Sequence, residues 1–356
     1  MQPLSIPSHL DTPEGPTTVT RAWFERIDEG LRRLSFEGRD EEGRLRAGLV
    51  WFDDDARPAR VELTRYGRDK KLPALERLLA DGELLVHRAG RRAVVRTPDG
   101  FAKALRPAKL PDAEARARAF HHLRGPVRTP EVLRVDDDGA LTVGIVPGRS
   151  LHDLGVDAGT FTWREGWRAW AESWADWVRT PGLGDALPRY TVDDEEQTLT
   201  GWLLRVELAR PSGLALTTLR ERFGSVMESL HGLERDVWHL SHRDLHDKQI
   251  LVSSFPEPGA RELASAASGR RAAGLIDSDT LAMADPAVDL GNLLAHVRLR
   301  EAQGLLNPTR TELAEALICE IADNLDVPGP ALHAWRDAAS LRLSCVYAFR
   351  PTGTAS

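Results

Sequence analysis

The amino-acid sequence predicts an α+β chain of two lobes, a small β-rich N-lobe and a larger, mostly helical C-lobe, with an extra N-terminal α+β cap. Three observations support this expectation. Between Glu83 and Val146, short apolar runs alternate with polar residues and turn formers, the two-residue period of strands. From Thr160 onward apolar residues recur at intervals of three and four, the period of helices. Inside that helical half a polar loop, Ser241 to Gln249, runs into Ile250-Leu251-Val252. Gly274-Leu275-Ile276 then ends on Asp277-Ser278-Asp279, so two short strands carry carboxylates to one rim of a cleft.

At 356 residues the chain exceeds one ordinary core, and we expect a cap over 1–80, an N-lobe over 81–147 and a C-lobe over 148–356. Hydrophobic residues at 42% and charged residues at 28% exclude a disordered or fibrous class. A net charge of −7 argues against nucleic acid as the main partner. No apolar run approaches the roughly eighteen residues of a membrane span. Met1-Gln2-Pro3-Leu4-Ser5 also lacks the basic and apolar segments of a secretory signal. A cytoplasmic monomer or homodimer is therefore expected, with no membrane association. Cys319 and Cys345 lie in apolar helical surroundings without metal spacing and read as reduced core thiols.

Residues 1–20 carry four prolines and read as a loose arm. Arg21 to Leu34 reads as a helix with Trp23, Phe24, Ile27, Leu31 and Leu34 on one side. Arg44 to Phe52 and Arg60 to Tyr66 alternate as a hairpin, and Leu72 to Leu79 is a short helix. The N-lobe opens with strands at Leu84–His87, Ala93–Arg96 and Phe101–Leu105, the last two joined by Pro98-Asp99-Gly100. A helix follows over Pro111 to Leu123, closed by Gly125-Pro126, then strands at Val132–Val135 and Ala140–Val146. Pro147-Gly148 breaks the pattern as a hinge between lobes.

Trp163, Trp167, Trp170, Trp174 and Trp177 fall within an arc of about 80° on one helix. Stacked sugars would suit such a face, but five exposed indoles would aggregate, so we assign them to the core. Thr162 and Glu165 have capping-box spacing at its start. Asp193 to Glu196 reads as a solvated helix N-terminus, and Ala215 to Leu233 as the helix leading to the polar loop. Ser253 to Ala273, rich in Ala, Ser, Gly and Pro, reads as a surface loop. Helices over Asn292–Leu305, Arg310–Asn324 and Pro330–Phe349 complete the C-lobe.

His242-Arg243-Asp244, with Gln249 five residues beyond the aspartate, resembles the catalytic loop of the protein-kinase superfamily. His-Arg-Asp-Leu-His, Ile276-Asp277-Ser278-Asp279 and Asp285-Pro286-Ala287-Val288-Asp289-Leu290-Gly291, in that order, are similar to the aminoglycoside phosphotransferase and choline kinase branch. The resemblance spans Glu83 to the C-terminus and implies a bilobal protein-kinase-like fold that binds ATP and Mg2+. It makes Asp244 the base that orients an acceptor hydroxyl, and Asp277 the Mg2+ ligand, helped by Gln249 and Asp279. It gives Lys103 to the non-transferred phosphates, with Glu114 anchoring the lysine. The backbone around Ile145 would face the adenine.

Gln249 departs from the family's asparagine by one methylene, which alters metal binding more than it abolishes it. The connection Arg88-Ala89-Gly90-Arg91-Arg92 has one glycine, so Arg88, Gly90 and Arg91 are assigned to the triphosphate by charge and backbone amides rather than by a glycine-rich loop. His242 and Arg243 read as braces of the loop, Asp289 as acceptor of its backbone N–H groups, and Asp247 as solvent-facing. The acceptor is expected to be a small molecule bearing a hydroxyl. Only seven residues, Ser278 to Ala284, separate Asp277 from Asp-Pro-Ala, too few for a peptide-docking segment. The alternatives are a nucleotide-binding module without turnover and a kinase acting on a peptide hydroxyl.

Overall fold

In the computed structural model, residues 1–122, 127–180, 187–253 and 273–351 are described. The chain opens with β1 (His9–Thr12), β2 (Gly15–Asp28), β3 (Leu31–Arg39), β4 (Leu45–Phe52) and β5 (Pro58–Leu63), paired in sequence order as one antiparallel sheet. The loose arm and the helix expected over Arg21 to Leu34 are therefore corrected to strands. Two register shifts in β2, between Val19 and Arg21 and between Phe24 and Arg26, are the physical reason. Each bulge adds a residue and breaks the two-residue period, so apolar side chains fall at helix-like intervals. Glu29 and Gly30 both take positive φ, 53° and 79°, in the two-residue turn that pairs Asp28 with Leu31.

After α1 (Leu75–Leu79) come β6 (Glu83–Arg88), β7 (Arg92–Thr97), β8 (Gly100–Leu105), α2 (Leu110–His122), β9 (Val132–Asp136) and β10 (Ala140–Gly144). These strands form the second sheet, in the order β6-β7-β8-β10-β9. Ala93, Val95, Ala102 and Ala104 face Leu72, Leu75 and Leu78 beneath it. The helix closure assigned to Gly125-Pro126 lies outside the described residues.

The C-lobe begins with β11 (Arg149–Ser150), α3 (Leu151–Asp157), α4 (Thr160–Val178), α5 (Val192–Ala209) and α6 (Leu216–His231). It continues through β12 (His239–Ser241), β13 (Ile250–Val252), β14 (Ala273–Leu275) and β15 (Ala282–Ala284) to α7 (Pro286–Ala302), α8 (Pro308–Asn324) and α9 (Gly329–Tyr347). All five tryptophans of α4 are at most 1% exposed, so the helix is the core of this lobe. Its N-cap is Gly159, without a side-chain cap, which corrects the box assigned to Thr162 and Glu165. The capping box instead lies on α5, between Thr191 and Asp194. Gly291 lets α7 pack against α9, since a Cβ there would lie 2.6 Å from the Arg336 amide nitrogen. Cys345 is buried, but Cys319 lies on the exposed side of α8 and is not a core thiol. Residues 254–272 of the expected surface loop lie outside the described residues. Among the described residues no helix is long and apolar enough to cross a membrane.

The first sheet touches both lobes. Phe24, Leu34, Phe36, Val50 and Phe52 share one apolar cluster with Val206, Ala209 and Phe349, and the Phe24 ring stacks on Phe349 at 6.3 Å. Arg32 donates to the carbonyls of Gln2 at 2.7 Å and Ala209 at 3.2 Å. On the other side, Glu37 accepts the His87 backbone N–H of β6 at 2.8 Å.

Candidate active site

The polar loop of residues 242–249 joins β12 to β13, and β13 pairs with β14 through Ile250 and Leu275, so Asp244 and Asp277 flank one short hairpin. Buried Asp289, in the first turn of α7, fixes the loop. Its carboxylate accepts the backbone N–H groups of His242 at 2.8 Å and Arg243 at 2.7 Å. Asn292, one turn on, donates to the Leu245 carbonyl at 2.8 Å. Burial raises the Asp289 pKa, while these N–H groups oppose the shift. His242 is fully buried and donates from Nε2 to the Ile276 carbonyl at 2.9 Å, so it braces the loop rather than reacting. Arg243 and Asp277 both adopt left-handed backbone, at φ 64° and 69°, a strain that side-chain-bearing residues tolerate where placement matters.

Across the cleft, Lys103 on β8 donates from Nζ to Asp277 Oδ1 at 2.8 Å and to Asp279 Oδ1 at 2.6 Å, joining residues 174 and 176 positions apart. Burial disfavours the ammonium, but the two carboxylates outweigh it, and the Lys103 pKa lies above that of an ordinary lysine. The same balance holds Asp277 well below the usual carboxylate range: burial opposes its charge, and Lys103 more than compensates. Arg92, at the start of β7, donates to Asp279 Oδ2 at 2.9 Å.

The other sequence-assigned residues have the following partners. Glu114 accepts from Arg118 one helical turn along α2 at 2.8 Å, whereas Lys103 is anchored by Asp277 and Asp279. Arg88 and Arg91 donate to Glu25 of β2 at 3.1 and 2.6 Å, and Arg88 lies over the Trp23 ring at 4.9 Å. Gly90 donates its N–H to Asp69 at 2.6 Å. The hairpin tip is thus tied to Glu25 of the first sheet and to Asp69, partners that a sequence read without its N-terminal part does not show. Ile145 is 55% exposed at the end of β10. The Gln249 carbonyl accepts the Ile276 N–H at 3.1 Å, and its side-chain nitrogen lies 3.5 Å from His246 Nε2. Asp247 is buried rather than solvent-facing, because Arg300 of α7 and His152 of α3 both donate to it.

Arg342 was not identified from the sequence. Its guanidinium interacts electrostatically with Asp244, donates to Asn292 Oδ1 at 2.6 Å, and pairs with Glu195 at 3.3 Å. Tyr190 donates to the same glutamate, and the Arg243 guanidinium lies 3.5 Å from the Tyr190 ring centroid. Burial, then the Glu195 charge, pushes the Tyr190 pKa up to about 12. An arginine on the apolar face of α9, four residues after Ala338 and three before Cys345, was the available signal.

A β-rich lobe carrying Lys103 and a helical lobe carrying Asp277 and Asp279 thus meet in a two-lobed α+β fold. No protein-family model and no curated protein matches the chain by sequence. Among solved structures it is similar to an aminoglycoside-3'-phosphotransferase of type VIII, at TM-score 0.52 and 17% identity over 78% of this chain and 100% of that one. Lesser similarity is found to the streptomycin–ATP complex of APH(2")-IIa, at TM-score 0.48 and 13% identity over 79% of this chain and 90% of that one. A glucosamine kinase in complex with glucosamine, ADP and inorganic phosphate superposes at TM-score 0.42 and 16% identity over 97% of this chain and 91% of that one. Only the first superposes well enough to define the fold.

Proposed function

We propose that the chain is an ATP- and Mg2+-dependent O-phosphotransferase that moves the γ-phosphate of ATP to a hydroxyl of a small molecule in the cytoplasm. Residues 1–80 act as a cap on an N-lobe of 81–147 and a C-lobe of 148–356. The observation that carries this reading is the meeting of Lys103 with Asp277 and Asp279 across the two lobes. Two hard carboxylates converge on one cationic point there, a donor set that suits Mg2+. Two cations, Lys103 and Arg92, balance two carboxylates, so the charges are matched before substrate arrives.

Lys103 and Arg92 would hold the phosphates, and Asp277, Asp279 and Gln249 would hold the metal ion. Bound Mg2+ supplies neutralisation of the phosphate charge. Asp244 accepts the acceptor hydroxyl's proton and directs its oxygen in line with the γ-phosphate. Arg342, held by Glu195 and Asn292, places a positive charge near the Asp244 carboxylate.

Release of ADP, measured by a coupled assay over a panel of aminoglycosides, amino sugars, sugars and other alcohols, tests the reading. Asp244→Asn is expected to retain nucleotide binding in thermal shift and lose about 10²–10⁴ in kcat. Arg92→Ala is expected to raise KM for ATP with a smaller change in kcat. The substitution of Gln249 and the absence of a Lys103–Glu114 pair favour the second reading, a nucleotide-binding module; metal-dependent ATP binding with no turnover across the panel would establish it.

A further inference from the structure

Two positions beyond Asp244 stands a cluster that phosphoryl transfer does not use. His246 and Asp247 come from the loop and His296 from α7, and one ligand atom from each lies within 4.8 Å of the other two. The two imidazoles stack, with ring centroids 4.6 Å apart and planes 29° apart. His296 is only 7% exposed, and its Nδ1 is buried without a hydrogen-bond partner. A buried nitrogen without a partner calls for an explanation, and this one belongs to a residue whose ligand atom stands beside those of His246 and Asp247.

We propose that His246, Asp247 and His296 bind one transition-metal dication of the zinc class, which ties the catalytic loop to α7. Two imidazole nitrogens and a carboxylate oxygen are the donors such ions prefer, and three protein ligands leave a position for water. Metal–ligand bonds of about 2.0–2.2 Å set tetrahedral ligand atoms roughly 3.3 Å apart. His246 Nδ1 lies 3.7 Å from Asp247 Oδ1, close to that spacing, and the His296 ligand atom lies within 4.8 Å of both residues' ligand atoms.

Asp247 is supported from behind in the manner of a ligating carboxylate. Arg300 donates from Nε to Oδ2 at 3.0 Å and from Nη2 to Oδ1 at 3.2 Å, and His152 Nδ1 donates to Oδ2 at 3.0 Å. A carboxylate has about four acceptor sites, so one remains, on the oxygen facing His246. Arg300 also neutralises the carboxylate, leaving little attraction for Mg2+ or Ca2+, which bind hard oxygens by charge. An ion that seeks imidazole loses much less. The competing contact is one long hydrogen bond, from the Lys248 N–H to His246 Nδ1 at 3.2 Å. Burial and neighbouring His246 hold the His296 pKa well below the ordinary histidine value, so its ring is neutral and free to ligate.

The proposal does not depend on phosphotransfer and is tested without it. The full chain, stripped with chelator, is titrated with Co2+ while its visible ligand-field absorption is followed, and bound metal is counted by mass spectrometry before and after Zn2+ displacement. One equivalent with a low-coordinate spectrum is expected, with affinity lowered at least about tenfold in His296→Ala. His246→Ala, on the loop, provides the same comparison should the helix variant fail to fold. Asp277→Asn and Asp193→Asn are expected to leave uptake unchanged, separating this site from the nucleotide cleft and from the exposed Asp193, Glu196 and His231 group. Absence of stoichiometric Co2+ uptake by the parent chain, or uptake undiminished in His246→Ala, overturns the proposal.

Discussion

The carboxylate of Asp289 sets the position of Asp244 without touching it. Two consecutive backbone N–H groups, those of His242 and Arg243, end on its two oxygens in a fully buried setting. Asp289→Ala leaves both donors unmet, at about 1–3 kcal/mol each. A fall of at least about 2 kcal/mol in urea-measured stability is therefore expected, together with a drop in kcat larger than any change in KM. A stability loss without a kcat effect would separate the clamp from the chemistry. The hairpin flanked by Asp244 and Asp277, and the clamp by Asp289, were legible because these residues lie at fixed distances along one short segment, where local chain geometry dictates placement. The sequence did not disclose Arg92 as a partner of Asp279, or Arg342 beside Asp244, because those meetings depend on how separate elements pack. The helical position of Glu114 was legible, but the partners that Lys103 has here, Asp277 and Asp279, are more than 170 positions from it in sequence.

At the scale of elements, regular periodicity was readable and interrupted periodicity was not. The β7–β8 hairpin pairs without slip from Arg92 and Leu105 to Thr97 and Gly100, and its alternation marked it plainly. β2 has two bulges, and its apolar spacing imitates a helix. The tryptophan helix was legible because burial is the only safe use of five aligned indoles, yet its interior holds a conflict that composition could not show. The indole nitrogens of Trp167, Trp170, Trp174 and Trp177 are buried without hydrogen-bond partners. Trp170, edge-on to Trp167 at 5.7 Å, separates packing from polarity. Trp170→Ala is expected to cost about 3–5 kcal/mol, as for other buried large residues. Trp170→Phe loses volume but also removes an unmet N–H, so its cost is expected to stay below about 2 kcal/mol. Equal losses in chemical denaturation of the two variants would mean that the nitrogen is better solvated than its surroundings indicate.

For the whole molecule, the first sheet acts as a brace between the lobes. Its apolar face merges with the C-lobe core through Phe24, Val50 and Phe52, and its β2 carboxylate, Glu25, holds the β6–β7 tip through Arg88 and Arg91. A brace of this kind cannot open before the lobes it joins, so the slowest-exchanging amides of β3 and of α7 are expected to share one opening free energy in native-state hydrogen exchange. A markedly lower value for β3 would show a cap that unfolds by itself. The N-lobe side of the brace is electrostatic and carries a pH signature. Burial raises the Glu25 pKa, but the hydrogen bonds from Arg91 and Ser35 and the charge of Arg88 outweigh it, so the folded value lies below the ordinary 4.5. A group depressed on folding stabilises fully above its unfolded pKa and loses that contribution as pH falls through the folded one. Glu25→Gln is accordingly expected to lower stability by about 1–2 kcal/mol at neutral pH and to flatten the acid limb below about pH 4.5. KM for ATP should hold in that variant if Arg88 and Arg91 serve the brace alone. A large change in KM with an unaltered acid limb would return Arg88 and Arg91 to the nucleotide.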